Sequence, residues 1–498
     1  MSSRARRPLE QPASRLLLAL IAIGLFTTWA LAIARYGGPD EPGHVLRAEA
    51  VADGHLLGAT VPGLVSGFRA VTAPAGIATG DPRCFRHDKR TPATCARPDP
   101  GATGLRRVAS SAGTNPPWYY AVVGLPVRLF GDVDEAAWYR VVAAALFALT
   151  VAVALARVRL IDPARGVLVV TGALSPVAWF LGGVVNPSSL EIGLAVVAWI
   201  GVERLRLVAA VGWPDMLWIG VPTGLAILVR PIGVVAVVTM LIVIRITRQG
   251  ASALGGRRWV ALLTVPAVAG VASFAWSRWS SVEVSDTRAA TRAPLAHVFG
   301  EVVVGTADTV HELGGSLGWL EYSAPWPAQW AWWLAVVACG VAAWRGDPRR
   351  RAAWIFVAGC TALFPIAFET ALANRLGYIW QGRYSIPTAI GLVVVGSSTW
   401  VARLSQRAVG VLLGAVAVAE VATLWTALRR YAVGTHGSWF FTDARWHPPL
   451  PPFVLLAANA VLVVALLAVA SRPRASAAAP SSVSRIDHAG GLAVAQRH

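Results

Sequence analysis

Charged residues are scarce in this chain. Asp, Glu, Lys and Arg together make up 14% of its 498 positions, and lysine occurs once, as Lys89. So little charge excludes a disordered polyelectrolyte and the string of about three soluble domains that this length would otherwise suggest. Cysteine is nearly absent too, and four cysteines in this length exclude a disulfide scaffold. Cys84 and Cys95, eleven apart in a polar stretch, suit one structural bridge, whereas Cys339 and Cys360 fall inside apolar runs as packed thiols. There is no P-loop, no G-x-G-x-x-G behind a strand and no zinc-like spacing of Cys and His, which argues against ATP-driven chemistry. His311 and Glu312 open no H-E-x-x-H motif, so a zinc protease is rejected.

Apolar residues are what the chain has in abundance: 55% of positions, with a mean hydropathy of +0.56. They fall into runs close to the roughly 20 residues that cross a bilayer. The fold class is therefore an all-α integral membrane protein. The runs predict helices at 16–34, 138–157, 166–184, 188–204, 213–229, 232–246, 259–276, 328–345, 353–371, 384–402, 407–427 and 452–471, about twelve transmembrane helices. The first follows Arg4, Arg6, Arg7 and Arg15 without an A-x-A cleavage site, and reads as a span rather than a signal peptide.

An even number of spans puts both termini on one side, and the arginines say which. Of the 44 basic residues, 23 lie at the termini and in the short loops of that side, while the opposite short loops hold only Arg230, Arg375 and Arg383. By the positive-inside rule both termini are cytoplasmic. The net charge of +18 is then read as topology and headgroup contact, with no nucleic-acid partner. Treating 116–130 as a span would invert everything after it, so that stretch is laid in the interface as an amphipathic or re-entrant segment. The expected division is a cytoplasmic N-terminus at 1–15, a membrane domain at 16–471 and a disordered cytoplasmic tail at 472–498. Extracytoplasmic loops fall at 35–137, 277–327 and 428–451, the first of them carrying interfacial helices. The Ala- and Arg-rich, almost lysine-free composition fits a GC-rich bacterial genome, hence a bacterial cytoplasmic membrane.

Polar residues gather at the extracytoplasmic face. In RYGGPDEPGHVLRAEA, the adjacent carboxylates Asp40 and Glu41 stand between Pro39 and Pro42, with His44, Arg47 and Glu49 on a short helix behind them. Two readings stay open: an acid positioned as a base by a stiffened backbone, or Asp40 as an N-cap with Pro42 in the first turn. In NPPWYY, Trp118, Tyr119 and Tyr120 are either interfacial anchors or a surface for a sugar or lipid chain. Asn186 and Pro187 interrupt two helices, and Glu191 follows inside the next one, where a carboxylate is costly and usually functional. Arg230 at a helix junction either snorkels or grips a lipid phosphate. In NRLGYIWQGRYSIP, Arg375, Tyr378, Gln381, Arg383 and Tyr384 form an anion-and-sugar pocket or an ordinary loop.

Acids, arginines and aromatics at one face suggest a chemistry. Outside the cytoplasmic membrane there is no nucleotide sugar and no ATP, so an activated glycosyl donor must ride on a lipid. Displacing a polyprenyl phosphate from an anomeric carbon needs a carboxylate to deprotonate the acceptor hydroxyl, and cations to hold the charge growing on the phosphate. Asp40 or Glu41 meets the first need; Arg230, Arg375 and Arg383 are candidates for the second. A two-acid motif is compatible with Mg2+- or Mn2+-assisted transfer and with metal-free transfer, so no cofactor is assigned.

The motifs PDEPGHVLRAEAVADGHL, NPPWYYAVVGLP, GGVVNPSSLEI, GSLGWLEYSAPW, QGRYSIP and RRYAVG, in this order, resemble the landmarks of a family of predicted polytopic membrane proteins, DUF2142. The resemblance runs from about residue 14 to 470. That family is in turn similar to the GT-C superfamily of integral-membrane glycosyltransferases. The resemblance implies that Asp40 is the catalytic base, that Glu41 is the second acid supporting it or touching a metal, and that QGRY at Gln381 to Tyr384 binds donor. Ser188 departs from the pattern, standing where many relatives carry an acid.

The leading expectation is a membrane glycosyltransferase that moves a sugar from a polyprenyl-phosphate donor to an envelope glycan, lipid or protein acceptor, with inversion. A transporter or flippase of a lipid-linked saccharide is the alternative, with Glu191 and Arg230 lining a path and Asp40 and Glu41 binding a coupling ion. A non-catalytic envelope-assembly scaffold is the third reading.

Overall fold

The computed structural model describes residues 12–472 apart from 62–66, 81, 98, 100, 130–135, 159–162, 208–210, 251–252 and 281–292. The expected tail beyond Arg472 and residues 1–11 of the expected N-terminus lie outside the described residues. The helices are α1 (Pro12–Ala32), α2 (Glu41–Ala52), α3 (Ala75–Ala78), α4 (Pro117–Leu129), α5 (Ala136–Val158), α6 (Pro163–Ala173), α7 (Pro176–Leu181), α8 (Pro187–Leu207) and α9 (Trp213–Val229). They continue with α10 (Val234–Thr247), α11 (Gly256–Ser280), α12 (Leu295–Gly314), α13 (Trp326–Trp344), α14 (Pro348–Leu376), α15 (Ile386–Trp400), α16 (Gln406–Val433) and α17 (Pro452–Ser471).

Each apolar run is helical where the sequence expects it. Among the described residues, α1, α5, α11, α14, α16 and α17 are long and apolar enough to cross a membrane, and α9, α10 and α15 are shorter apolar helices. The run at 166–184 is broken in two. Pro176 cannot donate to the preceding turn, and the Ser175 hydroxyl accepts from the Ala178 N–H at 3.4 Å, so α6 stops and α7 restarts on a new cap.

In the bundle α1 lies between α5 and α17, α5 packs on α8, α8 on α9 and α9 on α11, while α15 joins α13 and α14 to α8. Aromatic rings lock the centre: Phe26 meets Phe147 edge-on at 4.7 Å and stacks on Trp179 at 5.4 Å. Helix α8 is buried on nearly every side. Its polar residues Ser188, Ser189 and Glu191 must therefore find partners inside the protein.

At one end of the bundle the segment after α1 builds a cap. Helices α2 and α4 pack together over a three-stranded antiparallel sheet, β1 (Ala59–Thr60), β2 (Arg69–Pro74) and β3 (Leu105–Ser110), in that order, with Val71 opposite Val108. The sequence reading placed only interfacial helices here, and the strands are too short to announce themselves by alternation. Side chains weld the sheet on: the Ser110 hydroxyl donates to the Gly43 carbonyl at 2.7 Å, and Arg69 reaches the Ser280 carbonyl at 2.8 Å. Gly43 gives the sheet a close seat, because a Cβ would stand 2.2 Å from the Ser111 hydroxyl and force that side chain to turn away.

Two further connections hold the cap. Cys84 and Cys95 are joined in a disulfide. Fully buried Arg430 donates to the carbonyls of Phe85, Asp88 and Thr91 inside and beside that loop, at 2.6, 3.0 and 2.8 Å. A hairpin of β4 (Ser316–Leu317) and β5 (Tyr322–Ser323) brings Glu321 to Arg430 at 3.2 Å, and the Trp319 indole donates to the Tyr36 carbonyl at 2.9 Å. The GSLGWLEYSAPW and RRYAVG motifs thus meet as a structural staple. On α4, Trp118, Val122, Leu125 and Leu129 recur at helical spacing and are all exposed, an apolar stripe of the kind that lies in a bilayer interface.

Candidate functional site

The turn between α1 and α2 is fixed from below. Glu41 is fully buried, and Arg140 of α5 donates to both of its oxygens, at 2.7 and 2.6 Å. The amides of Gly38 and Val185 donate to the same carboxylate at 3.1 and 3.0 Å. The Asn186 amide donates to the Pro39 carbonyl at 3.0 Å. Arg140 also donates to the carbonyls of Ile33 and Ala34 at the end of α1, both at 2.5 Å. These contacts hold Asp40 in the left-handed region (φ 59°), a conformation that costs a non-glycine residue energy and persists only when its surroundings impose it.

Adjacent residues therefore face opposite ways. The Glu41 carboxylate points inward and is filled by partners, whereas the Asp40 side chain keeps 42% of its surface exposed. Expected as the second acid of a pair, Glu41 is placed by the structure as a tether of the turn. Each of the two acids faces an arginine, and the described residues contain no cluster of three His, Cys, Asp or Glu that could hold a metal ion.

Asp40 faces Arg383, whose Nη2 donates to its Oδ2 at 2.5 Å. Burial pushes this carboxyl up, but the Arg383 guanidinium, helped by Arg230, more than offsets that and holds it below the usual carboxylate range. Arg383 follows Gly382, which lies so close to the last turn of α12 that a Cβ would stand 2.3 Å from the Leu313 nitrogen. Its side chain is 4% exposed, and Nε and Nη1 have no hydrogen-bond partner among the described residues. A fixed buried cation with donors left unsatisfied thus stands beside an open carboxylate.

Tyr384 sits between two cations. Its ring centroid is 5.0 Å from the Arg383 guanidinium and 4.2 Å from that of Arg230, an arrangement that shares one π system between groups that otherwise repel. Arg230, at the α9–α10 junction, donates to the Ser188 hydroxyl at 2.5 Å and lies 3.9 Å from Glu191. The hydroxyl that replaces the expected acid at 188 thus still touches the cation. His44 meets the Tyr120 hydroxyl at 2.8 Å, and the Asn115 amide donates to that same hydroxyl at 2.7 Å. Burial drives the His44 imidazole down to about pKa 3, so it is neutral. Arg47, one turn on, donates to the Asn115 carbonyl at 3.0 Å and leaves Nε and Nη1 without a partner among the described residues.

The residues expected from sequence divide accordingly. Asp40, His44, Arg230, Arg383 and Tyr384 come together, with Tyr120, Glu191 and Asn186 directly behind them. Gln381 precedes the cluster, its Oε1 buried and without a partner among the described residues. Tyr119 is buried against Tyr120, while Trp118 belongs to the exposed stripe of α4, because successive helical residues turn by about 100°. Arg375 was expected in the loop but lies in the last turn of α14, and its side chain is outside the described residues. Sequence reasoning missed Arg140, although an arginine near the start of an apolar helix (WYRVV) carries the same warning as Glu191.

A family model described as a predicted membrane protein, DUF2142, matches residues 23–392. Among solved structures the chain is similar to ArnT from Cupriavidus metallidurans, in the apo state and bound to undecaprenyl phosphate. Each match has 14% identity and a TM-score of 0.44, covering 92% of this chain and 76% of that one. No curated protein matches this chain.

Proposed function

The chain belongs to the DUF2142 family of predicted membrane proteins, and from that premise we propose that it is a glycosyltransferase using a polyprenyl-phosphate sugar at the extracytoplasmic face. The observation that supports this best is Arg383, a buried side chain whose Nε and Nη1 have no partner among the described residues, bonded to a half-exposed aspartate.

In this reading the donor phosphate competes with Asp40 for the Arg383 guanidinium, with Arg230 behind it across Tyr384. Asp40 accepts the proton of an acceptor hydroxyl, whose oxygen forms the bond to the anomeric carbon. The carbon–oxygen bond to phosphate breaks, and its electron pair leaves on the phosphate, where the arginines hold the charge. Attack from the face opposite the phosphate inverts the anomeric centre. Substrate itself tunes the base: in the free protein Arg383 holds Asp40 down and makes it a weak proton acceptor, and a phosphate that competes for the guanidinium lets its affinity for a proton rise. Glu41, Arg140 and Asn186 act as positioning residues by fixing the backbone of Asp40.

The test is direct. Wild type and Asp40→Asn in lipid nanodiscs are given short-chain polyprenyl phosphate sugars together with membrane extract. Mass spectrometry should find free polyprenyl phosphate with wild type alone, and equal release by the variant would refute Asp40 as the base. Binding of donor without turnover by wild type would favour a carrier or a scaffold.

A further inference from the structure

The segment 378–385 has two unlike sides. One presents Arg383 to Asp40. Behind the other opens a groove of about 710 Å3 bounded by α12, α13 and α14, which the chemistry above leaves unused. Its floor is apolar, with Trp333, Trp354, Ile366 and Leu392. Its mouth carries four carboxylates, Glu301, Asp308 and Glu312 from α12 and Glu369 from α14, beside the rings of Tyr378 and Trp380.

The acids do two things. Three of them pin the segment that carries Arg383: the Tyr378 hydroxyl donates to Glu301, the Trp380 amide to Glu369 at 2.5 Å, and the Gly382 amide to Glu312 at 2.7 Å. Together they also give the mouth one sign of charge. Asp308 is exposed and in no ion pair among the described residues, and no three of these acids stand close enough to hold a metal ion. An ionised carboxylate only accepts hydrogen bonds, so this rim suits hydroxyl donors and repels a phosphate. Aromatic rings beside it offer flat apolar faces to the C–H side of a polyol, and the floor suits a hydrocarbon chain.

We propose that this groove binds a membrane amphiphile with an uncharged, hydroxyl-bearing head and an apolar chain, and that this molecule is the sugar acceptor. Only its role as acceptor rests on the transfer reading. The two substrates are thereby sorted by charge across one short segment: the anionic donor on the arginine side, the neutral glycolipid-like acceptor on the carboxylate side.

The experiment uses full-length protein in nanodiscs containing a photoactivatable glucosyl diacylglycerol or a phosphatidylglycerol with the same reactive chain, at equal mole fraction. After irradiation, cross-linked peptides are mapped by mass spectrometry. The glucosyl lipid should label α12 and α14 roughly tenfold more than phosphatidylglycerol. Gly305→Phe should abolish this labelling, since Gly305 lines the groove and a Cβ there meets open space. Asp308→Lys, a change at an exposed position, should narrow the preference between the two lipids and carries the test if Gly305→Phe does not fold. Equal labelling by both lipids, or labelling indifferent to both substitutions, would overturn the proposal. Asp40→Asn should leave labelling unchanged, which separates the two readings: labelled groove without turnover on any donor sinks the transferase and keeps the lipid site, and turnover without groove labelling does the reverse.

Discussion

Asp40 and Glu41 are chemically alike and one bond apart along the backbone, yet the turn assigns them opposite work. Glu41 answers a guanidinium and two amides in a dry site, so removing it leaves Arg140 as an uncompensated buried charge. Glu41→Ala should destabilise the protein by about 3–5 kcal/mol, seen as lost folded material in fluorescence-detected gel filtration after heating. A Glu41→Leu/Arg140→Leu pair should recover only part, because the α1 carbonyls that Arg140 also serves stay unpaired. Asp40 is half-exposed, so its exchange for Asn should cost much less stability while removing activity. Its pH signature has a definite sign. A carboxyl held below its ordinary value of 3.8 contributes stability that is present above that value and is lost as pH falls through the lower folded value. Acid unfolding below about pH 4 should therefore be shallower in Asp40→Asn than in wild type, measured by tryptophan fluorescence.

The element most dependent on one side chain is the disulfide loop of the cap. The covalent bond between Cys84 and Cys95 restricts the unfolded chain, a contribution of about 3 kcal/mol for a loop this short. What orders the loop against the bundle is Arg430, through three carbonyls and Glu321. Arg430→Met should speed amide exchange at 85–91 on the order of tenfold or more while α16 stays protected, read by hydrogen-exchange mass spectrometry. Elements of this kind mark the limit of what was legible. Hydrophobic runs place the long helices well, because a bilayer-length helix is specified by its own composition. The cap is not specified locally: β2 and β3 pair across some thirty intervening residues, and Arg69, Arg140 and Arg430 act on partners distant in sequence. The candidate site was legible in its residue types, Asp40, Arg230 and Arg383, but not in which acid faces out, since that depends on Arg140 and on the loop before α8.

For the whole molecule the deciding quantity is which side of the membrane holds the cap and the Asp40–Arg383 site. The described helices carry a sheet-bearing cap at one end, and we propose from the arginine distribution that the other end, with both termini, faces the cytoplasm. That assignment carries chemical weight, because it alone removes nucleotide sugars from the list of donors and leaves lipid carriers. It predicts that a green fluorescent protein fused after His498 is fluorescent in cells, and that a cysteine placed at exposed Arg106 in β3 reacts with a membrane-impermeant maleimide added from outside. Neither readout depends on turnover. The reverse pattern, a dark fusion with residue 106 shielded until lysis, would put the arginine pocket in contact with cytoplasmic nucleotides. Arg383 would then still bind an anion, but the diphosphate of a nucleotide sugar would be as good a candidate as a lipid phosphate. If the labelling places the cap outside, the activated sugars within reach of Asp40 would be those delivered through the bilayer, and the apolar stripe of α4 and the groove beside α12 would face the side from which the proposed donor and acceptor approach.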